Sequence, residues 1–178
     1  MNKTEKTLST SVVYPGRILN LHKDIVELPN GNTADREVVE HSGGVCVLPL
    51  TDCDNVILVK QFRYPFKEAI LELPAGKREK GEDPLECGKR ELLEETGCTA
   101  ERFDYLGKLY PTPAYCTEVI HMYLARGLSE GENKLDHDEF LDVVKLPFDK
   151  VIDMIFKDEI HDAKTQIAML KTKVLLNN

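Results

Sequence analysis

Residues 76–98 read GKREKGEDPLECGKRELLEETGC, and seven of these 23 are Asp or Glu. Three of the seven, Glu91, Glu94 and Glu95, crowd into positions 91–95, just before Gly97. Four local signals predict a helix over 83–96. Asp83 can cap its start, Pro84 takes the first helical position, Glu86 stands three residues after the cap, and Gly97 suits the left-handed position past the end. Helical positions i, i+3 and i+4 share a face, so the three glutamates project together while Leu85 and Leu92 lie on another side and can meet a core. Like charges at this spacing cost roughly a few tenths of a kcal/mol per pair, and the helix dipole disfavours anions near a C-terminus. Helix stability therefore does not explain the cluster. A hard cation does, because Mg²⁺ and Mn²⁺ prefer carboxylate oxygens and share them with substrate phosphates. The plain alternative is a solvated acidic face, and the surrounding residues decide between the two.

The elements that must hold this helix read as a mixed α/β domain. The N-terminal part, VVYPGRILNLHKDIVELP, the turn Asn30-Gly31-Asn32 and a run around REVVEH carry strand and hairpin signals. GGVCVLPL and NVILVKQFRYP, separated by the polar TDCDN, are β-branched runs of the kind found in central strands. AILELPAG reads as one short strand ending at Gly76. Further strands are predicted at DYLGKLYPTP, EVIHMYLARGL and EFLDVVKLP, the last after an acidic loop, and helical periodicity marks one or two helices in the tail. The predicted division is an N-terminal β extension over 1–40 and a main domain over 41–178.

Composition narrows the classes. A chain of 178 residues, 42% hydrophobic and 30% charged, is that of an ordinary globular domain. No apolar run approaches the roughly 20 residues that cross a bilayer, and the N-terminus MNKTEKTLSTSVV lacks the apolar stretch of a secretory signal, so a cytoplasmic protein with no membrane partner is expected. The net charge of −8 argues against nucleic acid as a partner. It leaves room for a small anionic substrate, since a bound divalent metal inverts the local sign. The five cysteines form no CxxC pair and read as reduced, mostly buried side chains.

Gly76, Glu82, Arg90, Glu91, Leu92, Glu94, Glu95 and Gly97 stand at the spacing G-x5-E-x7-R-E-U-x-E-E-x-G-U, where U is apolar. This resembles the Nudix box at every fixed position, with Cys98 at the last U where Ile, Leu or Val is usual. The resemblance implies an α/β/α sandwich with a mixed sheet, a loop–helix–loop that carries divalent metal, and hydrolysis of a nucleoside diphosphate linked to another group. By position it makes Glu91 and Glu95 metal ligands, Glu94 a further ligand or a holder of metal-bound water, and the carbonyl of Ala75 an added ligand. Gly76 lets the backbone approach closely. Arg90 cannot lose its proton and can pair with Glu82 or Glu94, fixing the carboxylates.

Pro113, sixteen residues after Gly97 in YPTPAYCTE, together with VKQFRYP, LELPAG and DEFLDVVKLP, resembles the ADP-ribose pyrophosphatase subfamily. That likeness covers about residues 36–170. It implies a homodimer that uses Mg²⁺, with Mn²⁺ as an alternative, to cleave ADP-ribose to AMP and ribose 5-phosphate. Arg63 would contact the substrate phosphates or ribose, and Glu72 would help bind substrate or metal. Glu139 would be the general base, with Asp136 and Asp138 as rivals. Arg36 and the N-terminal strands resemble the region with which the subfamily dimerises and completes its adenine pocket, although an edge-strand charge that blocks aggregation is an equal reading of Arg36. His161 reads as structural or exposed. Tyr64, Tyr110 and Tyr115 can stack on a base but read more simply as core. Two other functions stay open: hydrolysis of another nucleotide sugar such as GDP-mannose, and a Nudix-fold module that binds a nucleotide without cleaving it.

Overall fold

A computed structural model describes residues 3–131 and 140–177. Its backbone falls into two units: one takes the chain up to Gly43 together with Tyr110–Val119, the other takes Gly44–Leu109 and the chain from Ile120 onward.

The first unit is built on an antiparallel sheet of β1 (Lys6–Pro15), β2 (Leu19–Glu27) and β3 (Thr33–His41) in that order. The Asn-Gly signal makes the β2–β3 hairpin: Gly31 takes φ 83°, and the Asn30 side chain accepts from the Asn32 N–H. Every residue of β1 is exposed, and within this sheet Val26 alone is buried and apolar.

The second unit has two sheets. β5 (Asn55–Arg63) lies between β10 (Leu141–Pro147) and β6 (Glu68–Glu72), all antiparallel. The other sheet runs β7 (Ala75–Lys77), β4 (Gly44–Pro49), β9 (Ile120–Glu130), β8 (Cys98–Leu109), with β4 and β9 parallel and the remaining pairs antiparallel. Three helices complete it: α1 (Pro84–Thr96), α2 (Phe148–Phe156) and α3 (Ala163–Leu176).

Strand periodicity divides the interior into two cores. Cys46 and Leu48 of β4 and Met122 and Leu124 of β9 face a cluster with Val151 of α2 and Met169 of α3. Their neighbours Val45, Val47, Tyr123 and Ala125 face a second cluster with Cys87 and Leu92 of α1. Successive strand side chains point to opposite faces, so a fully buried strand feeds both clusters. Helices therefore cover the mixed sheet on both sides, the α/β/α sandwich of the resemblance.

Two sequence expectations need correction. AILELPAG is not one strand: β6 ends at Glu72, β7 starts at Ala75, and the two belong to different sheets. Pro74 has no N–H for a ladder and its carbonyl accepts from Val47, so the chain changes sheets there. β8 begins at Cys98, directly after the helix, and not near Asp104. Gly97 in the left-handed conformation turns the chain straight from helix into strand.

Candidate active site

Helix α1 forms where the sequence places it. The Asp83 carboxylate accepts from Leu85 N–H at 2.8 Å and Glu86 N–H at 3.3 Å, and Gly97, at φ 72°, donates to the Leu93 carbonyl. Gly88 lets the helix approach the sheet closely, because a Cβ there would stand 3.0 Å from Val45 Cγ1 and 3.2 Å from Val47 Cγ2. Leu92 and Cys87 are sunk in the core beneath.

The acidic face is organised by Arg90. Its Nε and Nη2 donate to the two oxygens of Glu82 at 3.0 and 3.2 Å. Its Nη1 donates to Glu91 Oε1 and Glu94 Oε2, both at 2.8 Å. The Arg90 hydrogen bonds hold the Glu82 carboxyl down at about 2, and Glu82, with Glu91 and Glu94, holds the guanidinium well above its ordinary value. Burial, followed by the Glu82 carboxylate, pushes the Cys87 thiol up to about 12, so it stays a neutral group behind the arginine.

Glu91 and Glu95 are the inner acids, 7% and 2% exposed. Glu95 Oε2 accepts from the Ala75 N–H at 3.0 Å, which ties the last turn of α1 to β7. Glu91 lies against Gly76 so closely that a Cβ there would fall 1.8 Å from the Glu91 carboxyl carbon. Among the described residues, no three His, Cys, Asp or Glu side chains converge closely enough to hold a metal, and the cation that Glu91 and Glu94 share is the Arg90 guanidinium. The donor set still suits a hard divalent ion: carboxylate oxygens, nearly buried, beside a backbone stripped of any Cβ.

Arg63 and Glu72 form a bidentate pair at 2.7 and 2.8 Å. Glu72 is thus held within the protein, with Lys164 of α3 donating to it as well. Lys164 escaped the sequence reading, although Asp162, a cap-type residue two places before it, marks the start of its helix. Arg36, in the first unit, donates to Glu5 at 2.9 and 2.6 Å from edge strand β3. Pro113 lies in a turn closed by Thr112, whose carbonyl accepts from Tyr115 and Cys116. Glu139, Asp136 and Asp138 lie outside the described residues. Tyr64, Tyr110 and Tyr115 are exposed and not core, because each stands in a turn or at a strand end with a face open to solvent. His161 is exposed, 3.6 Å from Asp158.

A glutamate-lined helix packed against a glycine-bearing strand, borne on an α/β/α sandwich, is the arrangement of a pyrophosphohydrolase of the Nudix class. The chain belongs to the Nudix hydrolases: the family described as NUDIX domain matches residues 40–167. A second family, the nucleoside diphosphate sugar hydrolase N-terminal domain, matches residues 5–39. The chain is 44% identical over 167 residues to a methanol dehydrogenase activator of Bacillus methanolicus, covering 93% of this chain and 90% of that one. It is 41% identical over 167 residues, with the same coverage, to an ADP-ribose pyrophosphatase of Bacillus subtilis (strain 168). Its fold matches a crystal structure titled ADP compounds hydrolase with a TM-score of 0.87 at 23% identity, over 98% of this chain and 95% of that one.

Proposed function

We propose that this protein is a homodimeric, cytoplasmic ADP-ribose pyrophosphatase that uses Mg²⁺, with Mn²⁺ as the alternative metal, and releases AMP and ribose 5-phosphate. The observation that carries the reading is the box itself: buried Glu91 and Glu95 set against Gly76 and Ala75, with Arg90 spanning Glu82, Glu91 and Glu94. The name of the Bacillus subtilis relative supports the substrate, and the free cysteines support a reducing compartment.

Glu91, Glu95, the Ala75 carbonyl and Glu94 would hold the metal. Such an ion, when bound, neutralises diphosphate charge and lowers the pKa of the attacking water. Arg90, through its hydrogen bonds to Glu91 and Glu94, fixes those carboxylates in orientation. Arg63, steadied by Glu72, offers a cation to the substrate phosphates, and Arg36 contacts the substrate from the dimer's N-terminal strands. Glu139 takes a proton from water as its oxygen attacks phosphorus, the bridging P–O bond breaks, and the departing phosphate carries away the electron pair.

The test is kcat/KM for ADP-ribose beside GDP-mannose and other ADP-sugars. A clearly higher value on another nucleotide sugar overturns the substrate and keeps the reaction class. Glu139→Gln should lower kcat while leaving metal binding intact; unchanged turnover would move the base to Asp136 or Asp138.

The 44% identity to a methanol dehydrogenase activator favours a second reading, in which the chain stimulates a dehydrogenase. Adding the protein to Bacillus methanolicus methanol dehydrogenase decides it. A rise in rate supports that reading, and an unchanged rate removes it.

A further inference from the structure

Four charged side chains from β5, β6 and the start of α3 form a chain of ion pairs away from the box helix. Arg63 engages both oxygens of Glu72 through Nε and Nη2, which leaves Nη1 outside the pair. Lys164 donates to Glu72 Oε2 and, at 2.8 Å, to Asp162 Oδ1. Asp162 in turn caps α3: its Oδ2 accepts from the Thr165 N–H at 2.9 Å and from the Thr165 hydroxyl at 2.6 Å. That hydroxyl accepts from the Leu73 N–H at 2.8 Å, so the residue after Glu72 is pinned to the same helix. Glu72 is 2% exposed and Lys164 9%, whereas 39% of the Arg63 side chain is exposed.

The exposures separate the roles. Lys164 is too deep to be the residue a ligand meets, and Arg63 is the cation of the chain with a face to solvent. A bidentate carboxylate fixes the plane of a guanidinium. A lone carboxylate would also cancel its charge. Here Glu72 is shared with Lys164, which Asp162 pairs in turn, so the four charges sum to zero and what the chain gives Arg63 is a fixed orientation, with Nη1 outside the pair. Burial opposes the charge on Lys164, and the Asp162 and Glu72 carboxylates outweigh that, keeping it protonated. Glu95 of the box also acts on Arg63, which puts the guanidinium within electrostatic reach of the glutamate helix.

We propose that Lys164 is a positioning residue for substrate binding: by holding Glu72, which Arg63 grips through Nε and Nη2, it fixes the guanidinium so that Nη1 can meet an anionic group of the substrate. This rests on the reading above in which Arg63 meets the substrate phosphates or ribose, and it adds a residue 92 positions from Glu72 to that subsite.

The test is a double-mutant cycle on ADP-ribose hydrolysis with Mg²⁺, using wild type, Lys164→Met, Arg63→Ala and the double variant. Lys164→Met should raise KM about tenfold, equivalent to about 1.4 kcal/mol, with kcat changed less than about threefold. On the Arg63→Ala background the same substitution should add nothing to KM, because Lys164 acts through Arg63. An unchanged KM in Lys164→Met, or an equal rise in both backgrounds, overturns the proposal. Should Lys164→Met not fold, Glu72→Gln takes its place, with the same KM rise expected and the same loss of effect without Arg63. If wild type ignores ADP-ribose but cleaves another nucleotide sugar, the substrate reading fails and the cycle is run on that compound. Wild type inactive on the whole panel overturns the proposed function and this inference together.

Discussion

Four hydrogen bonds run from the Arg90 guanidinium to Glu82, Glu91 and Glu94, so its removal leaves three carboxylates facing one another. Partners that orient ligating side chains typically contribute about 10–100-fold to metal affinity or activity. Arg90→Ala should lower hydrolysis within that range, about 10–100-fold, and raise the Mg²⁺ concentration needed for half-maximal rate, read from a metal titration. Glu82 gives a pH test. The Arg90 hydrogen bonds lower its pKa from 4.5 to about 2 on folding, so the stability it contributes is complete above 4.5 and is lost as pH falls toward 2. Glu82→Gln should therefore lower Tm at neutral pH, with the gap to wild type closing between about pH 4.5 and 2; a gap independent of pH would contradict the pairing. At this scale the sequence was readable where partners are close along the chain: the x7 spacing brings Glu82 to Arg90, and an i, i+4 step brings Arg90 to Glu94. Lys164 was not readable, because its partner Glu72 comes from a distant strand and meets it only in the folded core.

Helix α1 was legible from its caps because capping is a local matter: Asp83, Pro84 and Gly97 all act within a few residues of the helix ends. The segment before it was not. Whether LELPAG is one strand or two depends on β4, whose Val47 takes the Pro74 carbonyl and whose Cys46 pairs with Ala75. That crossing brings Gly76 beneath Glu91, and it makes a sharp test of how two elements share one site. Gly76→Ala would place a methyl 1.8 Å from the Glu91 carboxyl carbon, so either the glutamate or β7 must move. Overpacking of this kind costs about 1–3 kcal/mol. The variant should stay folded by circular dichroism, with a lower Tm, and lose most hydrolysis. Wild-type turnover in Gly76→Ala would show that Glu91 does not act from this position.

For the molecule as a whole, the first unit poses the question of what covers it. Leu8, Val12, Val13, Tyr14, Ile18 and Ile25 are all exposed on or beside β1 and β2, and a three-stranded sheet with a single buried apolar side chain, Val26, has little core of its own. The alternation and turn signals made these strands legible, but nothing in one chain's pattern says what they meet. A second copy is the occupant that fits the proposed dimer. Val12→Asp should weaken self-association by about tenfold or more in sedimentation, equivalent to about 1.4 kcal/mol, and reduce turnover if Arg36 serves the site from this unit. The central claim, that the α1 glutamates carry a metal-dependent pyrophosphate cleavage, has a more direct test. Release of AMP from ADP-ribose would be followed across a Mg²⁺ titration, with and without EDTA, for wild type and Glu95→Gln. The account predicts rapid release by wild type, abolished by EDTA, and none above background from Glu95→Gln at any Mg²⁺ concentration. EDTA-resistant release, or full activity in Glu95→Gln, would contradict it.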